Sequence, residues 1–173
     1  EAYIHFVRDP KYKDAVHIGL EKENVAVART FSKGYGLAGM RVGYGIMSPK
    51  LISRLKVHMP RFNPMGYLGV VAAEAAIGDT HHIDLSRQMV QDGEDLLARE
   101  FEAMGFEPIP SHSNFMWVDI KRDATGFSQA LRELDVSISD GKRRWGMDQH
   151  VRITIGTRDE NEALIWAMQR VLS

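Results

Sequence analysis

The residues best equipped for chemistry are gathered in one run, Thr30-Phe31-Ser32-Lys33-Gly34-Tyr35-Gly36-Leu37-Ala38-Gly39-Met40-Arg41-Val42-Gly43-Tyr44-Gly45. A lysine stands among hydroxyl residues and glycines, and an arginine follows it. An amine is nucleophilic only when neutral, and neighbouring cations push it that way. Here the neighbours are cationic. No Asp or Glu occurs between Glu23 and Glu74, whereas Arg29, Lys33, Arg41, Lys50, Arg54, Lys56 and Arg61 all fall in that interval. Hydroxyls, glycine backbone and a guanidinium also suit a phosphate or another compact anion.

Two elements must position this run. Val25-Ala26-Val27-Ala28 reads as a short buried strand and Arg41 to Met47 as another. Lys33 then lies on a loop where glycine lets backbone approach a ligand. Gly34-Tyr35-Gly36-Leu37-Ala38-Gly39 matches the dinucleotide fingerprint G-x-G-x-x-G, but that reading fails. The β-like stretch after Gly39 opens no helix, and no acidic residue stands about 20 positions on to hold a ribose. A structural turn with a solvated lysine stays open, and so does a Schiff-base lysine with its phosphate grip.

The run resembles the cofactor-lysine motif of the aspartate aminotransferase superfamily, in the histidinol-phosphate aminotransferase branch, where the pattern is Ser/Thr-x-Ser-Lys-x-x-x-Leu-Ala-Gly-x-Arg-x-Gly-Tyr. The resemblance implies that Lys33 carries pyridoxal phosphate as an imine. Arg41 would hold the cofactor phosphate bidentately, with Thr30 and Ser32 beside it. Glu1-Ala2-Tyr3-Ile4-His5-Phe6 resembles the family's Asp-Glu-Ala-Tyr-x-x-Phe segment without its aspartate. In the family that aspartate pairs with the pyridine nitrogen and the tyrosine donates to the phenolic oxygen, the role implied for Tyr3. The chain then corresponds to the C-terminal half of a longer enzyme and is inactive alone. The fold implied is α/β: the C-terminal part of a large PLP-transferase domain over 1–77, a connecting helix over 78–105, and a small α+β domain over 106–173.

Composition bounds the alternatives. The chain has 173 residues, 44% hydrophobic and 26% charged, with a net charge of -1, an ordinary globular balance. It holds no cysteine, which excludes disulfides and cysteine metal sites. No apolar run has the length of a membrane span, and no targeting segment is visible; a cytoplasmic protein is expected. The basic stretch is apolar and glycine-rich rather than an exposed stripe, so nucleic acid is not an expected partner. His81-His82 are adjacent and cannot face one ion from a helix; no metal site is expected.

Elsewhere, Asp9 to Glu23 reads as a charged loop with an apolar break at Val16–Leu20. Pro49 to His58 reads as a helix capped by Ser48 and stopped by Pro60. A turn over 61–67 departs at Asn63-Pro64 from the family's Asn-x-x-x-Gln-like pattern. Leu68 to Ile77 reads as a buried helix, and Ile83 to Met104 as a long one with Leu85, Met89, Leu96, Leu97, Phe101 and Met104 on its apolar stripe. Gly93 weakens that helix and Gly105 ends it. Strands are predicted at 106–109, 114–119, 136–138 and 151–155, a helix at 124–134, and a last helix opened by the capping box Thr157–Glu160.

Along the last strand Val151, Ile153 and Ile155 face a core, while Arg152 and Thr154 face away. An arginine there needs a partner, either an acid on a neighbouring helix or a ligand. Val151 to Thr157 resembles the family's Leu/Val-Arg-Ile-Thr-x-Gly-Thr motif, implying that Arg152 binds the α-carboxylate of an amino acid, for which a planar fork is the right group. Ser113-Asn114-Phe115 resembles another family segment; Asn114 either lines the site or satisfies a turn. Many members carry a basic residue where Ser139-Asp140 stands, and here Lys142-Arg143-Arg144 comes slightly later. Trp145 and Met147 would suit an aromatic or apolar side chain instead. The implied function is a homodimeric transaminase of amino-acid biosynthesis, acting on histidinol phosphate or an aromatic amino acid with a 2-oxo acid. Alternatives are a pyridoxal-phosphate-dependent decarboxylase of amino acids or their phosphates, and a non-catalytic anion-binding module.

Overall fold

Two strands frame the lysine run, β1 (Val27–Thr30) and β2 (Gly43–Ile46), paired antiparallel with Thr30 opposite Gly43. Each lies inside or just beyond its predicted span. The ladder cannot begin at Arg41, because that residue is left-handed, with φ 52°. Close approach explains Gly43: a Cβ there would stand 2.7 Å from the Arg29 carbonyl oxygen. The computed structural model describes residues 1–60 and 65–173 and divides into two compact units, Glu1–Ser86 and Arg87–Ser173. The turn at Arg61, Asn63 and Pro64 lies outside the described residues.

In the first unit, Ile4–Phe6 forms a 3₁₀ turn. The apolar break expected in a loop is a helix, α1 (Val16–Glu21). Its central Gly19 hid it from a propensity reading; that glycine is buried, and a Cβ on it would stand 3.0 Å from both Val27 Cγ2 and the Ile46 carbonyl oxygen. Helix α2 (Pro49–Lys56) starts as its sequence predicts, with the Ser48 side chain accepting from the Leu51 N–H. Helix α3 (Tyr67–Ala76) departs from expectation. Only Gly69 and Ala73 are buried, and Tyr67, Leu68 and Val71 are exposed. An apolar sequence specifies a surface that water disfavours, not what covers it.

Helix α4 (Thr80–Ala103) begins earlier than predicted. In the second unit its buried positions are Val90, Gly93, Leu97 and Phe101, while Met89 is exposed, as is Leu85 in the first unit. The second unit is built on a four-stranded antiparallel sheet, β3 (Glu107–Ile109), β4 (Phe115–Asp119), β5 (Ser139–Asp140) and β6 (His150–Thr154), in the order β3-β4-β6-β5. The strand predicted at 136–138 is displaced to β5. Asp135 is left-handed and the Val136 N–H still closes the end of α5 (Ala124–Arg132) on the Leu131 carbonyl. Pairing therefore starts only at Ser139, opposite Arg152.

The sheet has one buried face, with Met116, Val118, Val151 and Ile153 packed beside Phe127, Leu131, Leu164 and Met168. After the short α6 (Gly141–Trp145) and β6, the last helix α7 (Arg158–Leu172) opens on the predicted capping box, Thr157 and Glu160 satisfying each other's backbone N–H. Among the described residues no helix is long and apolar enough to cross a membrane, and no group of three His, Cys, Asp or Glu is placed to hold a metal ion.

Candidate active site

The lysine loop leaves β1 and returns to β2 at one edge, because Phe31 N–H donates to the Val42 carbonyl at 3.2 Å. Phe31, Val42 and Ala73 form a small buried core, with Tyr35, Leu37 and Ala76 packed against it. Inside the loop Gly36 N–H closes on the Lys33 carbonyl at 2.8 Å, and Gly36 itself has φ 68°, a left-handed position that favours glycine. Apolar side chains thus anchor the loop from below while its polar groups stay at the surface.

Those polar groups gather. The Thr30 hydroxyl donates to the Ser32 hydroxyl at 2.9 Å and accepts from the Ser32 N–H at 3.1 Å. Lys33 is half-buried, its Nζ 5.4 Å from the centre of the Tyr3 ring, within range of a cation–π contact. Tyr3 precedes the 3₁₀ turn, and that turn is fitted to the loop: His5 packs edge-on to Tyr35 with centroids 5.1 Å apart, and a Cβ on Gly34 would meet His5 at 2.7 Å.

Arg41 is exposed and donates to the Ala38 carbonyl at 2.8 Å. Among the described residues it forms no ion pair. Its left-handed backbone costs about 1–2 kcal/mol for a residue with a Cβ, and such strain concentrates at sites that need a side chain there. The donor set of this loop is an amine, two hydroxyls and a guanidinium without an acid, with no carboxylate among them. The chemistry of that set suits an aldehyde bearing a phosphate, for which an amine would supply the nucleophile and hydroxyls and a guanidinium the donors to the dianion.

One part of this site was not singled out from sequence. Arg29 Nε donates to Glu1 at 2.9 Å, and its terminal nitrogen lies 2.8 Å from Glu1 and 3.1 Å from Asp14. Glu1 also accepts from the Ala15 N–H at 2.7 Å and the Tyr12 hydroxyl at 3.3 Å. Burial works against the Glu1 charge, but the bonds from Ala15 and Arg29 outweigh it and hold the carboxyl below its usual range. Burial likewise opposes the Arg29 charge, and its bonds to Glu1, Tyr44 and Asp14 outweigh that too, raising its pKa. The signal available in sequence was the acid-free interval: an arginine on a strand inside it must find its acid elsewhere.

In the second unit Arg152 lies on the open face of the sheet, opposite Trp117 on one side and Ser139 on the other. Its guanidinium sits 3.8 Å from the centre of the Phe115 ring. It forms no ion pair among the described residues, so the helix-acid partner does not occur. Stacking on an aromatic leaves the edge of the fork free for a planar anion. Trp145 packs edge-on to Trp117, centroids 4.8 Å apart. Asn114 stands one residue before β4, half-buried, its carbonyl accepting from the Ile155 N–H at 3.0 Å. Lys33, Tyr3, Thr30, Ser32 and Arg41 therefore belong to one unit, and Arg152 and Asn114 to the other.

The model of the class I and II aminotransferase family matches residues 1–168. A histidinol-phosphate aminotransferase of Moorella thermoacetica is 38% identical over 174 residues, which is 100% of this chain and 45% of that protein. A putative histidinol-phosphate aminotransferase of Erwinia carotovora atroseptica superposes with a TM-score of 0.91 at 26% identity, covering 99% of this chain and 49% of that one. The histidinol-phosphate aminotransferase of Sinorhizobium meliloti, solved in complex with pyridoxal-5'-phosphate, superposes with a TM-score of 0.84 at 27% identity, covering 100% of this chain and 48% of that one. The chain spans about half the length of these relatives. By motif, fold and extent of match, it belongs to the class I and II aminotransferases.

Proposed function

We propose that these residues form the lysine-bearing half of a pyridoxal-phosphate-dependent transaminase, with 1–77 part of a large cofactor domain, 78–105 a connecting helix and 106–173 a small domain. The observation that carries this reading is Lys33, its amine 5.4 Å from the centre of the Tyr3 ring, next in sequence to the paired Thr30 and Ser32 hydroxyls, on a loop that returns through a strained Arg41 that forms no ion pair among the described residues. When bound, the cofactor supplies an electron sink for charge developing at the substrate α-carbon. Lys33 would hold it, and the free Lys33 amine would move the proton at that carbon as general base and then acid. Arg41, Thr30 and Ser32 hold the phosphate. Tyr3 donates to the phenolic oxygen. Arg152, kept flat on Phe115, takes the carboxylate of the amino acid, and Asn114 lines the same end of the sheet.

The M. thermoacetica relative points to histidinol phosphate as the amino donor, while the open face around Trp117 and Trp145 favours an aromatic amino acid. Partners are then an amino acid and a 2-oxo acid, and the working form is a homodimer in the cytoplasm. The test is a panel of amino donors offered to the full-length protein, with 2-oxoglutarate as acceptor. Glutamate and the donor's carbonyl product, an oxo acid from an amino acid or a ketone from histidinol phosphate, should appear together. Carbon dioxide in place of that product would make the enzyme a decarboxylase, and turnover of no donor would refute the proposal.

A further inference from the structure

We infer that Arg29 is a positioning residue for Lys33, holding the Tyr3 ring at the amine by clamping Glu1; this rests on the transaminase reading above. Most ion pairs near a protein surface only solvate charge. Lys50 with Glu23 is one of these, 2.7 Å apart but with side chains 56% and 55% exposed, where pairs contribute little. Arg29 and Glu1 are different, at 20% and 11% exposed. The guanidinium, borne on β1, gathers two stretches that sequence leaves apart: Glu1, and Asp14 ahead of α1.

Glu1 is held through its carboxylate, which accepts from Arg29, the Ala15 N–H and the Tyr12 hydroxyl. With Glu1 fixed to β1, Tyr3 lies two residues on, and its ring faces the Lys33 amine borne by the loop that leaves the same strand. Arg29 is therefore the joint between the strand that carries the lysine and the segment that carries the aromatic. A lysine there would keep the charge and lose the fork that reaches Glu1 and Asp14 together.

The test uses the full-length protein loaded with pyridoxal phosphate, and reads the pH midpoint of the cofactor's visible absorption. Arg29→Lys should move that midpoint by at least about half a unit, a threefold change in proton affinity. The same change made in a Tyr3→Ala background should add nothing, since residues acting through one another are not additive. Lys50→Gln, the surface-pair control, should leave the midpoint in place. A lower Tm with an unmoved midpoint would reduce Arg29 to a stabilising residue and overturn the inference. So would an equal shift in the Tyr3→Ala background, which would mean a charge effect independent of Tyr3. If Arg29→Lys does not fold, Glu1→Ala removes the carboxylate that the guanidinium clamps. A moved midpoint in that variant then supports the inference, and an unmoved one overturns it. Borohydride that fixes no cofactor on the wild-type protein overturns the transaminase reading itself. A fixed cofactor whose midpoint ignores these substitutions overturns only the role of Arg29.

Discussion

Gly93→Ala sets helix propensity against packing, and the two predict opposite signs. In a helix interior alanine is favoured over glycine by about 1 kcal/mol, so propensity alone makes the change stabilising. The structure reverses this. A Cβ on Gly93 would stand 2.6 Å from Ile155 Cγ2 and 2.7 Å from Asn161 Nδ2. Neither neighbour can retreat: Ile155 is 3% exposed and Asn161 2%. Asn161 moreover holds Gly156 through two hydrogen bonds of 3.0 Å, one to its N–H and one to its carbonyl. An added methyl in a packed site costs about 1–3 kcal/mol, and loosening each buried hydrogen bond adds about 1 kcal/mol. Set against the propensity gain, the net is destabilisation by about 2–4 kcal/mol. In the longer full-length protein that lowers Tm by roughly 5–10 °C, readable by circular dichroism. Because Gly156 follows the strand that carries Arg152, KM for the amino donor should rise as well. An unchanged or higher Tm would refute the packing argument.

Other substitutions probe the site and its supports. Arg152→Lys keeps the charge but loses the flat fork over Phe115, and should raise KM for the amino donor by about tenfold to a hundredfold, with kcat less affected, in steady-state assays. Arg41→Gly relieves the left-handed strain while removing the guanidinium; cofactor affinity should fall by at least about tenfold, with the apoprotein's stability changed by less than about 1 kcal/mol. Thr157→Ala removes the cap of α7 and should cost about 1 kcal/mol by denaturant titration. Bonds from the Thr157 N–H and hydroxyl hold the Glu160 carboxyl below its usual range, with burial a weaker opposing effect. Its stabilisation is therefore complete above the ordinary glutamate value of about 4.3 and fades as pH falls through the lower folded value. Glu160→Gln should flatten Tm against pH in that acid window.

What sequence made legible was local. Ser48 and Thr157 cap their helices because each acts on residues three positions away. The loop between two strands could be read because glycines and β-formers alternate around Lys33. What escaped depends on distant parts of the chain. Gly93 looked like a weak point in a helix, and only the packing of Ile155 and Asn161 shows why no side chain fits. Glycine at position 19 concealed α1 for the same reason. Apolar Leu68 and Val71 suggested burial, yet both are exposed, since hydropathy fixes what a residue avoids and not which surface meets it. The acids that meet Arg29 come from outside the basic interval, so periodicity could not pair them. Phe115 under Arg152 follows from the β4–β6 register, which no single strand reveals.

The central claim is a covalent one, and peptide mapping answers it directly. The full-length protein, incubated with pyridoxal phosphate, is reduced with borohydride, digested and read by mass spectrometry. A phosphopyridoxyl group on the peptide containing Lys33, absent from a Lys33→Ala variant, is the predicted result. An unmodified Lys33, or a label that persists at another lysine in the variant, would contradict the account.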